Sequence, residues 1–181
     1  MTFRHNVLRN SDQGVMISAR NAYGATATAL TDVTRRILIE HNVLDRIGGR
    51  TFLVSNELQD VTIAHNVANT AAFGMLLLGE PTNAPAARLV FRDNLMSRGW
   101  ALVNGDGTGQ GSAALSVYAP TAVIAGNVAY SSIEAGLGPV WLYPSTNGFV
   151  AEAGLAGITS ATVNGVSVAN ARLTSTSAYF R

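Results

Sequence analysis

Five stretches of this chain share one pattern: an alternating aliphatic strand, then asparagine, then another aliphatic residue. They are Thr2-Phe3-Arg4-His5-Asn6-Val7, Ile37-Leu38-Ile39-Glu40-His41-Asn42-Val43, Val61-Thr62-Ile63-Ala64-His65-Asn66-Val67, Leu89-Val90-Phe91-Arg92-Asp93-Asn94-Leu95 and Ala122-Val123-Ile124-Ala125-Gly126-Asn127-Val128. Internal repetition restricts a fold more than local propensity does, because a unit too small to bury its own apolar face must stack on copies of itself. The asparagines at 6, 42, 66, 94 and 127 are separated by 36, 24, 28 and 33 residues. Such uneven intervals argue against a strict repeat and suit coils whose turns absorb insertions.

A glycine opens a further aliphatic strand a few residues after each asparagine: Gly14-Val15-Met16-Ile17, Gly49 before Arg50 to Val54, Gly74-Met75-Leu76-Leu77-Leu78 and Gly99-Trp100-Ala101-Leu102-Val103. The fifth copy, Gly138-Pro139-Val140-Trp141-Leu142, is weaker. Each coil therefore reads as strand, asparagine corner, short strand, glycine corner, strand and variable loop. The expected fold is all-β, a right-handed parallel β-helix of about five coils, rising roughly 4.8 Å per coil or about 24 Å in all. Asparagine is expected to take the left-handed backbone at its corner and to bond the copies above and below through its amide. Glycine is expected to supply positive φ at the other corner. An antiparallel sandwich also has many short strands, but a corner residue recurring in the same local frame is less natural there.

The coils are placed at residues 1–143 and a tail at 144–181, where Ser, Thr, Ala and Gly take over. Within the tail, Ala161-Thr162-Val163-Asn164-Gly165-Val166-Ser167-Val168 is a hairpin signal with Asn-Gly at a two-residue turn. Such a tail can cover the last coil, whose open strands would otherwise invite aggregation. Met1 leads straight into what reads as mid-strand, with no charged and apolar leader. The segment is therefore expected to be excised from a longer chain.

Composition narrows the function classes. With 48% hydrophobic and 13% charged residues the chain can fill a core and lacks the charge of a disordered one. A net charge of +1 offers no field to draw nucleic acid or an acidic membrane. The longest apolar run, Ala71 to Gly79, falls far short of the roughly 20 residues of a membrane helix. There is no cysteine, so disulfides and thiolate metal sites are excluded. All twelve basic residues are arginine, which removes lysine as a base or Schiff-base former.

The five strand-plus-asparagine segments, over residues 1–143, resemble the right-handed parallel β-helix repeat proteins of the pectate-lyase-like superfamily. The end, Ala171-Arg172-Leu173 through Ala178-Tyr179-Phe180-Arg181, is similar to the Arg-Leu strand and Ser-Pro-Tyr-Arg-like turn of many bacterial secreted members. Here Ala178 stands in place of the proline, and Phe180 intervenes. The resemblance implies a secreted or cell-surface protein, a chain that continues as such members usually do, and polysaccharide as partner. It does not imply one activity, since the same coils host lyases, hydrolases, tailspikes and passive stalks.

Variable loops fall after the third strand of each coil, about 19–34, 55–60, 79–87 and 104–120, and loops stacked on one solenoid edge often build its binding face. Candidate catalytic residues there are Asp32, Arg35, Asp60 and Glu80, with Arg36 beside Arg35 able to neutralise a uronate. Hydrolysis would need paired carboxylates, and β-elimination a base with a charge-neutralising partner. Without lysine, that base would be arginine, histidine or tyrosine. Candidate binding residues are Glu57, Asn83, Asp106 and Gln110, with Tyr23 and Tyr118 as stacking platforms for sugar rings. Each is also an ordinary solvated turn residue in the simpler reading.

His5, His41 and His65 each precede a corner asparagine, with Asp93 and Gly126 continuing the column. Stacking between coils is expected for them, not a metal site, because a flat column does not converge ligands near 2 Å. Gly105-Asp106-Gly107-Thr108-Gly109-Gln110-Gly111 looks like a phosphate loop, but the following Ser112 to Tyr118 reads as strand or loop and no lysine follows, so no nucleotide site is expected. No cofactor is expected; a Ca²⁺ ion on oxygen ligands near Asp106 is the sole candidate. The reading is a secreted segment that binds polysaccharide. A lyase or glycoside hydrolase acting on acidic glycan, and a structural stalk, are the alternatives.

Overall fold

The computed structural model describes residues 1–19, 34–79, 83–97, 99–131, 143, 146–151, 160–163 and 166–169. The first coil holds β1 (Thr2–Arg4), β2 (Val7–Ser11) and β3 (Val15–Ile17). The second holds β4 (Arg35–Glu40), β5 (Val43–Ile47) and β6 (Arg50–Ser55), and the third β7 (Gln59–Ala64), β8 (Val67–Thr70) and β9 (Phe73–Leu78). The fourth runs through β10 (Val90–Arg92), β11 (Leu95–Ser97) and β12 (Ala101–Gly105), then a short β13 (Gly109–Gln110) and helix α1 (Ser112–Tyr118). After these come β14 (Val123–Ala125), β15 (Val128–Ser131) and β16 (Gly148–Ala151), and finally β17 (Ser160–Val163) and β18 (Val166–Ala169).

Equivalent strands of successive coils pair in parallel, giving three sheets. The first is β1-β4-β7-β10-β14, the second β2-β5-β8-β11-β15-β16, and the third β3-β6-β9-β12, with β13 folded back antiparallel on β12. This is a parallel β-helix, as the repeat requires. The second sheet continues through β16, past residue 143, so a sixth coil begins there. β17 and β18 form an antiparallel hairpin with Val163 opposite Val166, the pairing that a two-residue turn produces; Asn164 and Gly165 lie outside the described residues.

Alternation sets which side chains fill the interior. In the first sheet Ile39, Ile63, Phe91 and Ile124 stack in register and are buried. Leu44, Ala68, Met96 and Ala129 do the same in the second, and Phe52, Met75 and Val103 in the third. Phe52 and Phe91 meet edge to face across the interior, 6.2 Å between ring centres. One coil alone would leave these residues wet; stacking places apolar side chains above and below each.

The asparagine corner forms a continuous amide ladder. The backbone N–H of Asn6, Asn42, Asn66 and Asn94 donates to Oδ1 of the next asparagine at 3.0, 3.0, 3.0 and 3.1 Å. Each Nδ2 donates to that same oxygen at 2.9–3.0 Å. From the second rung on, Nδ2 also reaches a carbonyl of the preceding coil: Phe3, Ile39, Ile63 and Phe91 for Asn42, Asn66, Asn94 and Asn127. Asn127 donates in turn to Asn147, an unexpected sixth rung. No other side chain offers one acceptor and two donors at that reach, so burial of the corner depends on the amide.

The backbone at this corner differs from expectation. The left-handed residue is the one before asparagine: His5, His41, His65, Asp93 and Gly126, at φ 57, 54, 55, 53 and 65°. Chain reversal is completed one residue early, which leaves the asparagine free to aim its amide along the stack. The glycine corner also differs. Only Gly99 of the four described corner glycines has positive φ, at 56°. At Gly14 and Gly99 a Cβ would strike the carbonyls of Thr51 and Ala72, and at Gly74 it would lie 2.6 Å from both the Leu102 oxygen and Met96 Sδ. Close coil-to-coil approach, not φ, is what excludes a side chain at Gly14 and Gly74. Gly138 lies outside the described residues.

The segment 112–118, expected as strand or loop, is helix α1. Its Ala114 and Tyr118, one helical turn apart, are buried in the central cluster, so the helix substitutes for a loop crossing back to the first sheet.

Candidate functional site

The exposed flank of the first sheet begins at its N-terminal edge, where the variable loops re-enter the stack. Pairing of Arg35 with Gln59, and the bridge from Gln59 to Ala87, sets Arg36, Asp60 and Arg88 at equivalent positions on three successive coils. All three are left-handed, at φ 57, 54 and 55°. For residues other than glycine that backbone carries a cost, here repeated on three coils in a row.

Asp60 accepts two hydrogen bonds from Arg88, Nε to Oδ1 at 2.5 Å and Nη2 to Oδ2 at 2.9 Å. Arg88 Nη2 also reaches Gln59 Oε1 at 3.4 Å. These bonds, with the added fields of Arg88, Arg35 and Arg36, hold the Asp60 carboxyl below the usual carboxylate range despite an opposing effect of desolvation. The Arg88 guanidinium is raised by the same pairing. Arg35 and Arg36 are exposed, and no carboxylate among the described residues lies within ion-pair distance of either. Among the described residues, the edge thus holds three guanidinium groups against one carboxylate.

From this edge the outer face runs over half-buried Leu38, Thr62 and Val90 and exposed Val123 to a second charged stripe. There Arg4 lies 3.9 Å from Glu40, and Arg92 bonds Asp93 at 2.8 Å. The histidine rings lie beside them, His5 tilted over His41 with centres 5.4 Å apart and His41 stacked on His65 at 5.2 Å. On the neighbouring sheet the buried Asp45 carboxylate is matched by Arg46 at 3.3 Å and Arg9 at 3.8 Å.

Of the candidate catalytic residues, the fold brings Arg35 and Asp60 together on adjacent coils; Asp32 and Glu80 lie outside the described residues, as does Tyr23. The binding candidates do not gather. Glu57 is buried in a left-handed turn whose backbone N–H donates to the Ala84 carbonyl. Asn83 is half-buried in the loop before the fourth coil. Gln110 sits in β13 opposite Asn104, its Oε1 buried without a hydrogen-bond donor among the described residues.

Tyr118 is corrected from stacking platform to core residue. It is buried, and its hydroxyl donates to the Asp106 carbonyl at 2.6 Å, which ties α1 to the preceding turn. Asp106 itself is exposed at that turn. Among the described residues no three His, Asp or Glu side chains group as metal ligands. The exposed aromatic that sequence reasoning missed is Trp100, at 72% exposure, edge-on to Phe73 at 5.7 Å. Its place directly after a corner glycine, outside the inward alternation, was the available signal.

No helix among the described residues is long and apolar enough to cross a membrane. No protein-family model, curated protein or solved structure matches the chain.

Proposed function

We propose that the chain is a segment of a secreted or cell-surface β-helix of the pectate-lyase-like kind, and that the outer face of its first sheet binds an acidic polysaccharide. The observation that carries this reading is the exposed pair Arg35 and Arg36, without ion-pair partners among the described residues, beside the Arg88–Asp60 bridge. Guanidinium presents paired donors matched to carboxylate, so a uronate is the sugar such an edge selects. Coils rise by roughly 4.8 Å, which lets an extended glycan lying across them meet a new coil at regular intervals.

Binding without turnover fits these residues better than hydrolysis. Asp60 is held in its ionised form by Arg88, the opposite of the raised carboxyl that a general acid requires. The test is affinity of the chain for polygalacturonate against neutral dextran. We expect selective binding to the acidic polymer, weakened about tenfold in the double variant Arg35→Ala/Arg36→Ala, as for loss of two exposed charge contacts. Equal binding to both polymers would remove the reading, and no binding to either would favour a stalk. Release of unsaturated uronates by the wild type would make the chain a lyase.

A further inference from the structure

The arginine edge leaves the second stripe of the same face without a task. Its members stand one per coil: His5, His41 and His65, in register, with His41 stacked on His65 at 5.2 Å and His5 tilted over His41 at 5.4 Å. The His41 and His65 side chains are 51% and 32% exposed, so a ligand on the outer face can reach them. Glu40 Oε2 lies 3.7 Å from His41 Nδ1, and Asp93 Oδ2 4.0 Å from His65 Nε2. Arg4 and Arg92 pair with those same two carboxylates.

The charge count is what gives this stripe a direction. Two guanidinium groups balance two carboxylates, so the stripe is neutral while the imidazoles are neutral; protonation of all three histidines takes it to +3. The neighbouring charged groups lie on the second sheet or at the arginine edge. Arg9 and Arg46 face Asp45 on the second sheet, while Arg88 holds Asp60 ionised at the far edge beside Arg35 and Arg36. The terminal amine bonds the Arg36 carbonyl. Of the side-chain types in the stripe, imidazole is the one whose charge can change near neutral pH.

We infer that His5, His41 and His65 form a proton-gated extension of the glycan face, one that engages the carboxylates of a linear polyuronate only when the imidazoles are charged. The inference rests on the acidic-glycan reading above. Adjacent imidazolium ions at ring-stacking distance repel one another, and a polyanion laid along the column relieves that repulsion. Binding therefore draws protons in, and by linkage a fall in pH tightens binding.

The experiment measures affinity of the full chain for polygalacturonate at about pH 5.5 and about pH 8, either side of the ordinary imidazole range, at one ionic strength. We expect binding about tenfold tighter at the lower pH, the sum of a few exposed charge contacts. The triple variant His5→Asn/His41→Asn/His65→Asn keeps a residue that tolerates the left-handed corner, and should bind at both pH values as the wild type does at the higher one. A pH-independent wild type, or a variant that keeps the full dependence, overturns the gate and leaves the acidic-glycan reading standing. No binding at either pH overturns both. Calorimetry of the wild type in two buffers of unlike ionisation enthalpy gives an independent check: proton uptake on binding supports the gate, and its absence refutes it.

Discussion

Replacing Asn66 with alanine removes the middle of the amide ladder and tests whether that ladder, not hydrophobic packing alone, holds the coils in register. Its Oδ1 accepts from the backbone and side-chain nitrogens of Asn42, both at 3.0 Å. Its Nδ2 donates to the carbonyls of Ile39 and Ala64 and to Asn94 Oδ1, each at 3.0 Å. Alanine leaves the Asn42 backbone N–H without that acceptor at a buried position, at a cost of about 1–3 kcal/mol. The Asn42 amide keeps its bonds to Phe3 and Glu40, and Asn94 Oδ1 keeps the Asn66 backbone N–H. The lost bonds to the two carbonyls add about 1 kcal/mol each, for a total of about 3–5 kcal/mol. Asn6→Ala is the internal control. It is half-buried, with no rung above it among the described residues, and should cost about 1 kcal/mol. Urea titration followed by far-UV circular dichroism measures both. A cost for Asn66→Ala no greater than for Asn6→Ala would refute the ladder as the source of register.

Gly74→Ala places a methyl against the Leu102 carbonyl and Met96 Sδ and should destabilise by about 1–3 kcal/mol in the same titration. His65→Val puts a β-branched residue at φ 55° and should lower stability by about 1–2 kcal/mol relative to His65→Asn, measured as a difference in urea midpoint. Arg88→Ala should raise the Asp60 carboxyl toward its ordinary range, read by carbon-13 NMR titration. The sign follows from the lowered value: the bridge favours the folded state above the ordinary carboxylate range, and that contribution fades as pH falls through the lowered one.

What could be read from the sequence divides along burial. The ladder was legible because a buried corner that must bond two coils has room for one chemistry, and asparagine recurs at 6, 42, 66, 94 and 127. Asn147 was missed because no alternating aliphatic strand leads into it; Trp141-Leu142-Tyr143-Pro144 breaks the pattern. Helix α1 was misread because seven residues are too few to establish a period, although Ala114 and Tyr118 already had the i, i+4 spacing. The Asp60–Arg88 bridge lies across coils, between residues in no shared motif, and only the register of Gln59 with Ala87 creates it. Exposed positions carry little pattern because water tolerates many side chains there.

That contrast gives the histidine column its meaning. Within this one chain, the inward member of the corner is asparagine on every rung from Asn6 to Asn147. Its outward neighbour has no such uniformity, for Asp93 and Gly126 adopt the same left-handed backbone that His5, His41 and His65 do. Backbone geometry at that position therefore asks for neither a ring nor a charge. Stacking does not require imidazole either, since the fourth and fifth coils close their corners without a third ring pair. Three imidazoles on consecutive coils, set on the face that also bears Arg35 and Arg36, are thus not required by the backbone of that corner. The physical property that separates imidazole from the aspartate and glycine lower in the column is its ability to carry a positive charge.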